Sequence, residues 1–435
     1  MRQYRIRGQN RIEGELCVSG AKNAVLPILA ALCLNESEVV IHNCPRIADT
    51  FVSIEILRDI GCKVSFVGNT LTVDASGDLK HNIPDDCVTK MRSSILFMGA
   101  MLARNGRVNL ALPGGCKLGA RAIDMHISGL ESMGAIIKAE GNRLYCEAPM
   151  LKGEEIEMHT VSVGATENLM IAAAKAKGET VLKNAAQEPE IVDLARFLNG
   201  LGADIRGAGT STIVINGVKR LCPRDSHRIM PDRIVAGTYL VAAAITAGEI
   251  KLTGACPRDM LAVISGLKKM GCRVLTTDST IALQAPGRLL ALPRLVTEAH
   301  PGFPTDMQAQ FVAALSVADG RSTLRETIFE KRFSHAEELR KMGADIVLSD
   351  NKQFFTVYGK KTLYGTTVEA HDLRCGAALV LAALAAEGET IVTQAQHVER
   401  GYEHIEKDLA ALSANIRVES SAASSEQPYL SLVAG

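Results

Sequence analysis

The sequence predicts an α/β protein built of two similar domains, each with buried helices surrounded by sheets. Two interleaved repeats and the apolar character of one helix class carry that prediction. A Leu-rich helix end, a Gly-Ala or Gly-Cys step and a short strand recur at LRDIGCKVSF (57–66), LESMGAIIKA (130–139) and LNGLGADIRG (198–207). They recur again at LKKMGCRVLT (267–276), LRKMGADIVL (339–348) and, worn down, LAALSANIRV (409–418). Their starts are 73, 68, 69, 72 and 70 residues apart. A repeat of that period signals copies of one supersecondary unit.

Between these copies lies an alanine-rich helix, a Gly turn and an apolar strand. The first three copies are KNAVLPILAALCLNESEVVI, MRSSILFMGAMLARNGRVNL and ATENLMIAAAKAKGETVL. The last three are DRIVAGTYLVAAAITAGEIKL, TDMQAQFVAALSVADGRSTL and DLRCGAALVLAALAAEGETIV. Each unit thus reads helix, strand, helix, strand, strand. Its first helix is apolar on nearly every face, as in LMIAAAKA and ALVLAALAA, which assigns it to an interior. The later strands alternate, as in KVSFVGNTLTV, and Gly-Asn at 68 and 141 marks hairpin turns. Six units fill the chain to about residue 420, three per domain. SSAASSEQP beyond it has no periodicity and reads as a flexible tail over 421–435.

Composition narrows function. The 48 basic and 48 acidic residues of the 435 cancel to zero net charge, which argues against nucleic acid or an anionic membrane as partner. The apolar runs AVLPILAALCL and CGAALVLAALAA are too short to span a bilayer. Without Trp and with only 4% aromatic residues, the chain offers few stacking platforms. Eleven scattered cysteines, with no CxxC, read as reduced thiols of a cytoplasmic protein.

Polar residues gather at the starts of the buried helices: Lys22 and Asn23, Arg92, Thr166, Asp232 and Arg233, Asp306, and Asp372 with Arg374. A helix N-terminus presents unpaired N–H groups and partial positive charge, so added cations make an anion binder for phosphate or carboxylate. Asp232, Asp306 and Asp372 are equally readable as N-caps. The loop LPGGCKLGAR (112–121) sets Cys116 among glycines beside Lys117 and near Arg121, surroundings that favour a thiolate or proton donor. In AHPGFPTDMQAQ (299–310), two prolines fix a loop flanked by His300 and Asp306; it holds either a general base or a capped turn. No P-loop, complete dinucleotide fingerprint, HExxH or zinc spacing occurs.

These motifs together resemble the enolpyruvyl transferases. The resemblance rests on SGAKNAVLP (19–27), MRSS (91–94), LPGGCKLGAR, SVGATEN (162–168), EPEIVD (188–193) and PDRI (231–234). It continues through HPGFPTDMQAQ (300–310), ETIFEKRFSHAEEL (326–339), DLR (372–374) and ERGYE (399–403), spanning residues 1–420. It implies two inside-out α/β barrel domains of three units each, with the active site between them. One domain would take residues 22–230, with the PGGC lid loop, and the other 1–21 plus 231–420.

The implied reaction moves the enolpyruvyl group of phosphoenolpyruvate to the 3′-hydroxyl of UDP-N-acetylglucosamine, releasing phosphate. By resemblance Cys116 is the general acid and adduct former, and Asp306 the acceptor of the hydroxyl proton. Lys22, Asn23, Arg121, Arg332, Arg374 and Arg400 match the phosphoenolpyruvate site: Lys22, Arg121 and Arg400 for phosphate, Arg332 and Arg374 for carboxylate. Asn23, Arg92, Arg121, Ala122, Ile123, Asp124, Met125, Ser162, Val163, Gly164, Asp306 and Ile328 match the UDP-sugar site. No metal and no cofactor is implied, and oligomeric state is left open. Ala48 and Thr160 replace lysines found in some members, and RAID (121–124) replaces an Arg-Pro step. Two alternatives stand beside this reading: 5-enolpyruvylshikimate-3-phosphate synthase, which lacks the PGGC loop, and a non-catalytic UDP-sugar-binding regulator.

Overall fold

The computed structural model describes residues 2–112, 123–330, 332–349 and 354–420. Cys116, Arg121 and Ala122, the lid loop around them and the 421–435 segment lie outside the described residues. The chain divides into two compact units: residues 20–112 and 123–230 form the first, and 2–19 with 231–420 the second.

One sheet plan recurs six times among the described residues, three times per unit. In the third copy Glu179–Lys183 pairs antiparallel with Thr212–Asn216, which pairs antiparallel with Asp204–Arg206. Glu155–Glu157 then joins Glu179–Lys183 in parallel as an edge strand that the repeat pattern alone did not predict. In the second copy that edge strand shrinks to a single parallel bridge, Asn82 to Asn109. The hairpins turn where predicted: Gly68 and Gly141 have φ of 55° and 61°, a region glycine enters without strain.

The edge strands explain how the chain changes unit without leaving a sheet incomplete. Glu13–Cys17 directly precedes the helix Lys22–Ala31, yet it pairs in parallel with Glu249–Thr253 of its own second unit. His227–Arg228 precedes the helix Arg233–Ile245 but pairs with Ile41 and His42 of the first unit. The sixth sheet takes its third strand from the chain start: Arg2–Arg7 lies antiparallel to both Glu389–Thr393 and Asn415–Ser420.

Three inner helices pack together in each unit. In the first unit they are Lys22–Ala31, Leu96–Asn105 and Val163–Ala173. In the second they are Arg233–Ile245, Gln308–Leu315 and Leu373–Ala385. Their apolar residues populate two separate cores, one per unit, and the strands add one face each, as Ile213 and Ile215 do from Thr212–Asn216. Helices lie inside and sheets outside, the inside-out α/β arrangement. Such helices bury apolar side chains all round, so tertiary packing rather than an amphipathic stripe stabilises them.

Two backbone positions carry the repeat's geometry. Gly217 and Gly359 end equivalent strands against the turns that follow inner helices, where an added Cβ would overlap the carbonyl oxygens of Ala176 and Ala318. After the outer helices the chain needs a left-handed residue, and Gly61, Gly134, Gly202, Gly271 and Gly343 supply it with φ from 92° to 115°. In the degenerate sixth copy Ser413 holds that place at φ 73°.

Candidate active-site residues in each unit

In the first unit the expected residues stand at helix starts. Lys22 and Asn23 open Lys22–Ala31, and Arg92 opens a 3₁₀ turn, Arg92–Ile95, that leads into Leu96–Asn105. The run beginning at MRSS is thus a turn followed by a helix, preceded by the short helix Asp85–Lys90, where a single helix was expected. Ile123 caps Asp124–Ser132, which places Asp124 and Met125 in its first turn. Ser162 is the N-cap of Val163–Ala173, its hydroxyl accepting from the Ala165 N–H at 3.3 Å, with Val163 and Gly164 next in line.

Two partners in this unit were invisible to motif reading. Lys22 forms an ion pair with Asp49, whose side chain is buried in the first turn of Ala48–Ile60. His126, in the same helical turn as Asp124, bonds through Nδ1 to Asn168 Nδ2 at 2.9 Å and lies against Gly164. Asn168 is itself fixed, accepting from Gly99 N–H at 2.9 Å and donating to the Ile95 carbonyl at 3.3 Å. Burial, helped by the charge of Arg92 and opposed by that of Asp124, pulls the His126 imidazole down to about 4, so it is neutral at pH 7. His126 therefore ties together the surroundings of Arg92, Asp124 and Gly164. Its only sequence signal was its place in the first turn of an expected outer helix.

In the second unit the structure separates the three aspartates. Asp232 and Asp372 are N-caps: Asp232 Oδ1 accepts from the Ile234 and Val235 N–H groups, and Asp372 Oδ1 from those of Arg374 and Cys375, at 2.8 to 3.0 Å. Asp306 is not. It lies in the 3₁₀ turn Thr305–Met307, which has no side-chain cap, and its carboxylate takes two guanidinium groups. Arg332 Nη2 reaches Oδ1 and Arg374 Nη2 reaches Oδ2, each at 2.8 Å.

Both arginines are buried, their side chains 5% and 4% exposed, so neither charge is well solvated. Burial alone would raise the Asp306 carboxyl, but the charges and hydrogen bonds of Arg374 and Arg332 outweigh it and hold the group well below the ordinary carboxylate range. The reciprocal attraction holds Arg374 protonated against its own desolvation. Arg332 Nε is buried without a hydrogen-bond partner among the described residues, leaving an unused donor on a buried cation.

Arg374 has a second neighbour in Tyr402, a buried phenol whose hydroxyl lies 2.8 Å from Thr238 Oγ1. Arg400 closes the 3₁₀ turn Ala395–Arg400, two residues before that tyrosine. Ile328 offers its N–H to Glu326, so its backbone is anchored while its side chain remains exposed. Among the described residues no group of three or more His, Cys, Asp or Glu side chains is disposed to hold a metal. No described helix is long and apolar enough to cross a membrane.

Residues 6–409 match the family model for EPSP synthase (3-phosphoshikimate 1-carboxyvinyltransferase). A curated relative, UDP-N-acetylglucosamine 1-carboxyvinyltransferase 2 of Caldanaerobacter subterraneus subsp. tengcongensis, is 49% identical over 96% of this chain and 99% of its own. Among solved structures, the enolpyruvyl transferase NikO from Streptomyces tendae superposes with a TM-score of 0.87 at 27% identity, covering 97% of this chain and 99% of its own. The EPSP synthase of Acinetobacter baumannii, at 18% identity, shares the fold with a TM-score of 0.75, over 97% of this chain and all of its own. The fold, the repeated sheet plan and these matches together place the chain in the EPSP synthase family of enolpyruvyl transferases.

Proposed function

We propose that this enzyme transfers the enolpyruvyl group of phosphoenolpyruvate to the 3′-hydroxyl of UDP-N-acetylglucosamine and releases phosphate. The observation that carries the reading is the relative of that activity, 49% identical over nearly the whole chain, against 18% for the EPSP synthase structure. The reaction is the first committed step of peptidoglycan synthesis, which ties the enzyme to cell-wall growth, cell shape and division and to the cytoplasm.

The sugar hydroxyl adds to C2 of phosphoenolpyruvate while a proton goes to C3, giving a tetrahedral intermediate. The C2–O bond to phosphate then breaks and the C3 proton is lost, which restores the double bond. Asp306 accepts the hydroxyl proton, and Cys116 delivers the proton to C3 or forms an adduct with C2. Clamped by two arginines, Asp306 is a weak base. Phosphoenolpyruvate brings several negative charges that compete for Arg332 and Arg374, and each guanidinium drawn toward the substrate returns basicity to Asp306. The base is thereby strengthened by arrival of the substrate it serves. Lys22, Arg121 and Arg400 take the phosphate. Asn23, Arg92, Ala122 to Met125, Ser162 to Gly164 and Ile328 take the UDP-sugar, with neutral His126 supporting that group.

Phosphate release from phosphoenolpyruvate should require UDP-N-acetylglucosamine; release with shikimate 3-phosphate, or without an acceptor, overturns the reading. Fosfomycin should add its mass to the peptide containing Cys116, and an unmodified peptide in the presence of the UDP-sugar refutes a reactive thiol there.

A further inference from the structure

Glu326 is buried, at 5% exposure, and its carboxylate is fully engaged. Oε1 accepts from Thr297 Oγ1 at 2.9 Å, from the Ile328 N–H at 2.8 Å and from the Phe329 N–H at 3.2 Å. Oε2 accepts from Thr305 Oγ1 at 3.0 Å, and Thr305 Oγ1 accepts in turn from Arg332 Nη1 at 2.9 Å. The same guanidinium donates from Nη2 to Asp306.

The direction of this chain follows from its end groups. A carboxylate can only accept, and a guanidinium can only donate. The Thr305 hydroxyl must therefore point its proton at Glu326 and a lone pair at Arg332. A neutral amide at position 326 would turn an NH₂ toward Thr305 or leave that hydroxyl free to rotate, and the fixed lone pair facing Arg332 would be lost.

We propose that Glu326 is a positioning residue, which through Thr305 fixes the guanidinium of Arg332 against Asp306 and through its other oxygen anchors the backbone of Ile328. It acts by setting where Arg332 and the 326–329 turn stand. One carboxylate thus couples the geometry of an anion-binding arginine to that of a segment assigned to the UDP-sugar. The catalytic meaning of this arrangement rests on the function proposed above; the coupling of Glu326 to Arg332 does not.

The test uses the full chain with E326Q, T305A, T305S and the double variant T305A/E326Q. A charge-assisted hydrogen bond lost from a buried site corresponds to a loss of about tenfold or more. E326Q and T305A should each lower kcat/KM for phosphate release by about that factor, while T305S, which keeps the hydroxyl, stays within about twofold of wild type. Because both groups act on Arg332 in series, the double variant should be no worse than the poorer single variant. Multiplying losses, or an unchanged kcat/KM in E326Q, would overturn the proposal. A merely structural role would lower the melting temperature without this pattern.

A second readout needs no turnover. The Arg332 Nε–H resonance, assigned by its absence in R332K, should be sharp in wild type and T305S and broadened in T305A and E326Q. Equal sharpness in all four refutes the coupling whatever reaction the enzyme performs. If instead wild type fails to turn over UDP-N-acetylglucosamine while the resonances follow this order, the assigned reaction fails and the positioning role stands.

Discussion

Replacing Asp306 with Asn separates its structural duty from its chemical one. In D306N the guanidinium groups of Arg332 and Arg374 keep their burial but lose the carboxylate that neutralises them. Breaking a buried ion pair costs about 3–5 kcal/mol; Asp306 is about a quarter exposed, so roughly 2–3 kcal/mol is expected here. Urea unfolding should report that loss at pH 7. The carboxyl is depressed in the folded state, so its contribution is fully present above the ordinary carboxylate pKa and is lost as pH falls through the lower folded value. The gap between wild type and D306N should therefore close in strong acid. A small carboxylate such as acetate supplies the sharper discrimination. An anion that binds only the folded chain stabilises it by about 2.7 kcal/mol at a hundredfold excess over its dissociation constant. Bound between the two arginines, where the substrate carboxylate is assigned, acetate would recover most of what D306N lost, whereas in wild type it must compete with Asp306 and gains less. Turnover should still fall by about 10²–10⁴, since an amide accepts no proton. Equal stabilisation of both proteins by acetate, or a D306N as stable as wild type at pH 7, would refute the account of Asp306 as counter-ion to two substrate-binding cations.

Other consequences are directly measurable. His126 in the first unit and His335 in the second are both buried neutral, pulled from 6.5 to about 4, so each contributes stability that is present above pH 6.5 and lost as pH falls toward 4. Each should cost roughly 3 kcal/mol over that range, and unfolding curves that do not change between pH 7 and pH 4 would refute it. S413G should stabilise the second unit by about 0.5–1 kcal/mol, because glycine relieves a left-handed serine at some cost in unfolded-state entropy; a destabilised variant would show that Ser413 is unstrained. G359A should cost roughly 3 kcal/mol, since its methyl would overlap the Ala318 carbonyl oxygen, and an unchanged urea midpoint would refute that close approach.

The sixfold pattern was legible because every copy repeats the same local demands: an apolar helix, a left-handed step after the outer helix and alternating strands. The sixth copy was recognisable even with Ser413 in the glycine place, since the periodicity survived one strained residue. What local pattern could not reveal is which groups meet. Asp232, Asp306 and Asp372 look alike at helix starts, and only the arrival of Arg332, from later in the same repeat, and of Arg374, from the next one, makes Asp306 different. Asp49 lies beside the noted Ala48, and Glu326 lies within a recognised motif; their partners, Lys22 and Thr305, are 27 and 21 residues away in sequence. The parallel edge strands were missed for a related reason: three residues such as Glu155–Glu157 are too few for periodicity to register.

The strand Arg2–Arg7 is made long before either of its partners. Glu389–Thr393 and Asn415–Ser420 leave the ribosome only after some 380 more residues, roughly 20 to 75 s at 5–20 residues per second. Residues 20–230 contain every strand of the first unit's sheets and can complete them during that interval. The N-terminal segment meanwhile waits as an unpaired edge, and its sequence, RQYRIR, suits the wait. Arg2, Arg5 and Arg7 place a cation at almost every other position, which keeps a nascent strand from pairing with its neighbours on a polysome. The residues that later bond Glu389, Glu399 and Glu419 thus serve as guards during translation before they become staples in the finished fold.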